Sequence, residues 1–156
     1  LIRSGGPFPY HKDGATFGDP SPAFEDPEYR DMTDSDVIPT ANGWVMYVSL
    51  GPRLLLAESQ DGKAFRAVRM LDLGGSVCDT IAVEGGFRMY FHKNGDPRGD
   101  GKMSIWSAFS KDGREWKVEG VRLKASAGGP DQLGVGDPAV VRLADGTWRM
   151  FYKSFR

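Results

Sequence analysis

The sequence predicts an all-β fold assembled from repeated antiparallel strand units, and three observations carry that expectation. A strand–turn–strand pattern recurs three times along the chain. Asp-Gly turns recur between alternating strands. The 21 Gly and 10 Pro, with 12% aromatic residues, suit many short strands joined by tight turns. The length of 156 residues is enough for one ordinary domain.

The first recurring element is an Asp leading into an apolar run, then a Gly-containing turn, then a strand with Met and aromatic residues. One copy is Asp36-Val37-Ile38-Pro39, Asn42-Gly43-Trp44 and Met46-Tyr47-Val48. A second is Asp79-Thr80-Ile81-Ala82, Gly85-Gly86-Phe87 and Met89-Tyr90-Phe91. The third is Asp137-Pro138-Ala139-Val140, Asp145-Gly146, Trp148 and Met150-Phe151-Tyr152. Each predicts a β-hairpin, with Gly permitting positive φ in the turn. The second element follows the first. Leu54-Leu55-Leu56-Ala57 leads through Ser59-Gln60-Asp61-Gly62 to Phe65-Arg66-Ala67-Val68, and Met103-Ser104-Ile105-Trp106 leads through Ser110-Lys111-Asp112-Gly113 to Trp116-Lys117-Val118.

One unit is therefore four antiparallel strands, the blade of a β-propeller. Full units are expected over 36–70 and 79–123. A third is split between 137–156 and 1–20, because Lys12-Asp13-Gly14-Ala15-Thr16-Phe17 matches Lys111-Asp112-Gly113-Arg114-Glu115-Trp116. An ordinary surface turn is the alternative for that segment. Propellers typically carry 4–8 blades, so about three per chain leaves two arrangements. Either a second copy of the chain completes the ring about a two-fold axis, or the chain is a fragment of a larger ring.

Other classes drop out. A single Cys excludes a disulfide scaffold and a Cys-built zinc site. No apolar run approaches the roughly 20 residues of a membrane span, so no membrane partner is expected. A net charge of −1 with both signs mixed leaves no electrostatic footprint for nucleic acid. Leu1-Ile2-Arg3 is not a basic start followed by an apolar core, so no secretory signal is expected. No phosphate loop, dinucleotide fingerprint or Ser/His/Asp order appears.

The strand order places Asp36, Asp79 and Asp137 at one end of a central funnel, with Ser49, His92 and Lys153 on the same rim. Like charges held close disfavour joint ionisation, and separating an acid from a base is what glycosidic hydrolysis needs. The plainer alternative is that each Asp bonds backbone amides where its strand begins. Ser49, His92 and Lys153 are candidates to bind substrate, together with Arg98 in the Gly-rich loop from Lys93 to Lys102. That loop either walls a pocket or is a plain turn, and it lacks the spacing and terminal Glu of an EF-hand. The Asp-Gly turns at 61–62 and 112–113 fall at the opposite end and are expected to be structural. Trp44, Tyr47, Phe87 and Trp148 occupy one slot in successive units and read as packing residues. Cys78 reads as a small buried apolar residue.

Gly136-Asp137-Pro138-Ala139-Val140 with Asp145-Gly146-Thr147-Trp148-Arg149-Met150-Phe151-Tyr152, and the Ser-x-Asp-Gly-x-x-aromatic turns, resemble the five-bladed propeller glycoside hydrolases. The likeness covers about residues 34–153 and points to family 43 and its relatives in families 32, 62, 68 and 130. It implies hydrolysis of a carbohydrate with an Asp base, a supporting Asp and a Glu acid. Asp36 matches the base, and Asp137 or Asp79 the supporting Asp. None of the three strand starts carries the Glu; Glu25 and Glu28 are the nearest substitutes on the expected upper side. Without the acid, the alternative is a non-catalytic carbohydrate-binding or scaffold propeller. No cofactor is implied, although related propellers hold calcium on the axis and a ring of carboxylates suits a hard cation.

Overall fold

The computed structural model describes residues 2–4, 21–95 and 100–156. Their regular structure is entirely β. Strands β1 (Ile2–Ser4) and β2 (Ser21–Phe24) form a short antiparallel pair. β3 (Thr33–Thr40), β4 (Gly43–Leu50), β5 (Arg53–Ser59) and β6 (Arg66–Leu71) make one four-stranded antiparallel meander. β7 (Ser76–Val83), β8 (Gly86–Lys93), β9 (Ser104–Ser110) and β10 (Lys117–Leu123) make a second with the same order. β11 (Gly134–Arg142) and β12 (Trp148–Phe155) form a C-terminal hairpin. Among the described residues these sheets do not close into a ring.

The expected hairpins are where the Gly turns placed them. Gly43 and Gly86 each begin a second strand, and a Cβ there would lie 2.5 Å from the Ser59 carbonyl oxygen or 2.1 Å from that of Ser110. Only a glycine lets the neighbouring strand end approach so closely. The two Asp-Gly turns are built alike. Asp61 Oδ1 accepts from the Lys63 amide at 2.9 Å while Ser59 Oγ accepts from the Gly62 amide at 3.0 Å. Asp112 and Ser110 repeat this with the Arg114 and Gly113 amides at 2.8 and 2.9 Å. Both aspartates are thus turn formers.

The main core lies between the two meanders. Val45, Tyr47, Leu54, Leu56 and Leu71 of the first pack against Met89, Phe91 and Ala108 of the second. Burying each large apolar side chain contributes roughly 1.5–3 kcal/mol. The Asp112-Gly113 turn docks on the first meander. Tyr47 donates its buried hydroxyl to the Gly113 carbonyl at 2.6 Å, and its ring meets Trp116 edge-on at 5.7 Å. Arg114 reaches Glu58 and the Thr40 hydroxyl from the same turn. A second cluster joins Ala23 and Phe24 of β2 to Met46, Val48, Leu55 and Phe65, and the Phe65 amide donates to Ala23 O at 2.7 Å. The described N-terminal strands therefore lie against the first meander. Lys12 to Phe17 fall outside the described residues, so their expected pairing with 137–156 does too.

The first strands of successive units, called inner strands below, are neighbours: β7 packs against both β3 and β11. β4 and β8 are each flanked by two strands, whereas β12 pairs with β11 alone among the described residues. Its Trp148, Phe151 and Tyr152 are exposed, where the equivalent Tyr47 is fully buried.

Replacing Tyr47 with Phe removes a buried inter-sheet hydrogen bond and leaves the Gly113 carbonyl without it. Urea unfolding of Tyr47→Phe is expected to show a loss of about 1–2 kcal/mol with an unchanged m-value.

Candidate functional site

Each inner strand begins with a β-bulge. Thr33 pairs with Ser49 and Ser35 with Val48, which leaves Asp34 unpaired. Ser76 pairs with His92 and Cys78 with Phe91, which leaves Val77 unpaired. Gly136 pairs with Lys153 and Ala139 with Phe151, so that the irregularity spans Asp137 and Pro138. Asp34, Val77 and Asp137 have φ of 41°, 47° and 50°. Left-handed backbone at a non-glycine residue is uncommon, and at a β-branched one such as Val77 it is an outlier.

This register corrects one expectation. Asp36 and Asp79 occupy the same position, opposite Tyr47 and Tyr90. The residue opposite the corresponding Phe151 is Ala139, not Asp137. Asp137 stands at the bulge, level with Asp34 and Val77. Matching the three aspartates misaligns the third hairpin, because Asp137 stands at the bulge itself, two residues before the position that Asp36 and Asp79 hold in their hairpins. Ser49, His92 and Lys153 are equivalent, as expected, each lying opposite the residue before a bulge.

Two ties repeat from unit to unit. On the rim, the bulge amide of one unit donates to the rim side chain of the unit before it. The Val77 amide donates to Ser49 Oγ at 2.9 Å, and the Asp137 amide to His92 Nδ1 at 3.3 Å. Lower down, the carboxylates reach the next inner strand. The Val140 amide donates to Asp79 Oδ2 at 2.6 Å, and the equivalent Thr80 amide lies near enough to Asp36 to favour its ionised form. The Cys78 thiol sits 3.9 Å from Asp36 Oδ2. The Thr80 hydroxyl is buried, makes no hydrogen bond of regular geometry, and faces Asp36 as a polar neighbour.

These surroundings set the electrostatics. Burial pushes the Asp36 carboxyl up to about 6, with the Asp79 charge adding to the rise and Thr80 and Cys78 opposing it. Asp79 is also raised by burial, against the pull of the Val140 amide. Burial holds His92 below its usual value even though Asp137 and Asp34 pull it upward. His92 Nδ1 faces both the Asp137 amide and its carboxylate: without a hydrogen it accepts from the amide, and with one it donates to the carboxylate. Asp137 itself is 40% exposed; its Oδ1 lies 3.1 Å from His92 Nδ1 and its Oδ2 3.8 Å from the Lys153 ammonium. Gly136 makes this corner compact: a Cβ there would come within 2.6 Å of Met103 Sδ and 3.1 Å of His92 Nδ1.

The structure thus gathers Asp137, His92 and Lys153 into one corner, with Asp34 close enough for its charge to act on His92. Asp36 and Asp79 sit together one step below. Ser49 is committed to the Val77 amide and to the Asp34 carbonyl, which it reaches at 3.4 Å. Glu58 is held by Arg114, and Glu25 and Glu28 are exposed on the segment after β2. Arg98 lies outside the described residues. Described parts of its loop, with Lys93 and Lys102, line a cleft of about 460 Å³. Sequence reasoning passed over Asp34; of the two expectations for the loop from Lys93 to Lys102, its described ends fit the pocket wall. Among the described residues, no three His, Cys, Asp or Glu side chains gather as a metal site.

No protein-family model matches the chain, and a search of curated proteins finds no significant match.

Because its folded value is raised above 3.8, Asp36 binds protons more tightly in the folded chain than in the unfolded one. Its ionisation therefore costs stability as the pH rises from about 4 through about 6, and about 3 kcal/mol is lost above that range. Asp36→Asn is expected to flatten this part of the stability–pH curve in urea titrations. By contrast, Asp79→Ala leaves the Val140 amide unpaired and is expected to cost about 1–3 kcal/mol at neutral pH.

Proposed function

We propose that the rim around Asp137 is a carbohydrate site with glycoside-hydrolase-like chemistry, in a chain whose meanders are blades of a β-propeller. One observation carries the chemistry. Asp137 is partly exposed beside Lys153 and His92, while the buried Asp36, two units away and one step lower, has a carboxyl raised to about 6. A carboxylate open to water and a carboxyl group that retains a proton are the two roles that glycosidic hydrolysis requires. Asp137 takes the role of water-activating base, Asp36 that of proton-holding group, and Asp79 supports it. His92 and Lys153 orient Asp137 and offer polar groups to sugar hydroxyls. The likeness of Gly136 to Val140 to the family 43 propellers favours the same substrate class.

The propeller geometry is supported by the identical strand order of the two meanders and by β7 packing against both β3 and β11. Further blades come from a second copy or from more chain. A second function is favoured by a specific observation: the Asp79 carboxylate is occupied by the Val140 amide, and no Glu stands at a strand start. In that case the rim binds carbohydrate without cleaving it.

An aryl-glycoside panel tests hydrolysis. Asp137→Asn is expected to lower kcat at least about 100-fold with little change in KM. Unchanged turnover removes Asp137 from the mechanism. Arabino-, xylo- or fructo-oligosaccharides that bind without turnover support the binding function instead. Light scattering separates the routes to a complete ring, since a strict monomer excludes the two-chain arrangement.

A further inference from the structure

The cleft of about 460 Å³ beside the rim has a chemistry of its own. Its size falls within the range of small-molecule sites. Among the described residues, Lys93, Lys102 and Lys124 line it together with one carboxylate, Asp100, and the ring of Trp106. That is a local positive excess in a chain of net charge −1. Among the described residues, no carboxylate lies within ion-pair distance of any of the three ammonium groups. Asp72 and Asp131 act on Lys93 and Lys102 only from further away. Asp131 is in any case bonded to Ser126, and Asp100 accepts from the Lys102 amide at 3.0 Å.

Lys93 is the best placed of the three. Its ammonium rests 4.4 Å from the Trp106 ring centroid and 5.7 Å from that of Phe91. The indole is itself fixed, since Trp106 Nε1 donates to Ser104 Oγ at 2.9 Å. Cation–π contact positions the charge without neutralising it. Burial also disfavours the charged form of Lys93, a cost that an entering anion offsets.

The cleft adjoins the rim. Lys93 follows His92 in β8, and Met103 is a shared wall: it lines the cleft, its carbonyl accepts the Val135 amide at 3.0 Å, and its sulfur abuts Gly136, the residue before Asp137. We propose that this cleft binds an acidic sugar unit, one bearing a carboxylate or a sulfate ester, of the saccharide held at the Asp137 rim. The inference rests on the carbohydrate function proposed above and adds the substrate class. The lysines supply the charge recognition, while Trp106 and Met103 supply an apolar wall for the sugar ring.

Calorimetric titration with three probes tests this: an oligogalacturonide, a sulfated oligosaccharide and a neutral xylo-oligosaccharide of equal length. At least one acidic probe is expected to bind ten or more times tighter than the neutral one, with the preference shrinking as salt rises. Whichever acidic probe binds identifies the group, carboxylate or sulfate. The double variant Lys102→Gln/Lys124→Gln, at one half-buried and one exposed position, is expected to abolish the preference while leaving the unfolding midpoint unchanged. Equal binding of acidic and neutral probes overturns the acidic-sugar assignment but leaves the carbohydrate function standing. A preference that survives in the double variant, with Lys93→Met behaving likewise, also overturns it. Failure of all three probes to bind removes the carbohydrate function and this inference together.

Discussion

The structure turns on the left-handed bulge that opens each inner strand. Asp34, Val77 and Asp137 hold a backbone conformation that costs on the order of 1–3 kcal/mol at each residue, and the surroundings must hold it in place. They do so with the amide that the bulge turns aside. A side chain on the preceding unit, Ser49 or His92, accepts it. The strain is therefore also the joint between units: without the bulge the amide would face its own ladder, and the rim tie would have no donor. The lower tie, in which Asp79 accepts from Val140, needs the same relative placement of β7 and β11.

One consequence is a division of labour among the acidic residues. Asp36 and Asp79 point between strands, where burial raises both and backbone amides compensate. Asp61 and Asp112 are pulled the other way by amides of their own turns. Asp137 is set apart, since the bulge carries it out of the buried row and into contact with Lys153 and solvent. Residues of one type thus serve as joint, turn former or reactive group according to the backbone that presents them.

The strands and turns were legible in the sequence because their causes are local. Alternation in Met46–Val48 and Met89–Phe91, and Asp-Gly after Ser59 and Ser110, act within a few residues. The rim was legible for the same reason, as the position of Ser49, His92 and Lys153 follows from a strand's end. The level of Asp137 was not, because it depends on a bulge that no composition signal marks. Of the lysine cleft only the wall from Lys93 to Lys102 was legible, since Lys124 joins it from the end of another strand. The inter-unit ties were hidden more deeply, since their donors are backbone amides common to every sequence.

Among the described residues nothing pairs with the outer side of β12, and that bears on assembly. An open strand is adhesive, and natural proteins guard such strands with charge; Arg149 and Lys153 are the sentries here. Trp148, Phe151 and Tyr152 project from both faces, so a polypeptide that docks must bring apolar side chains on both of its own. Leu54-Leu55-Leu56-Ala57, buried throughout beside β4, is the template for such a guest. A strand with one polar face would satisfy the ladder and still leave half of the aromatic surface wet.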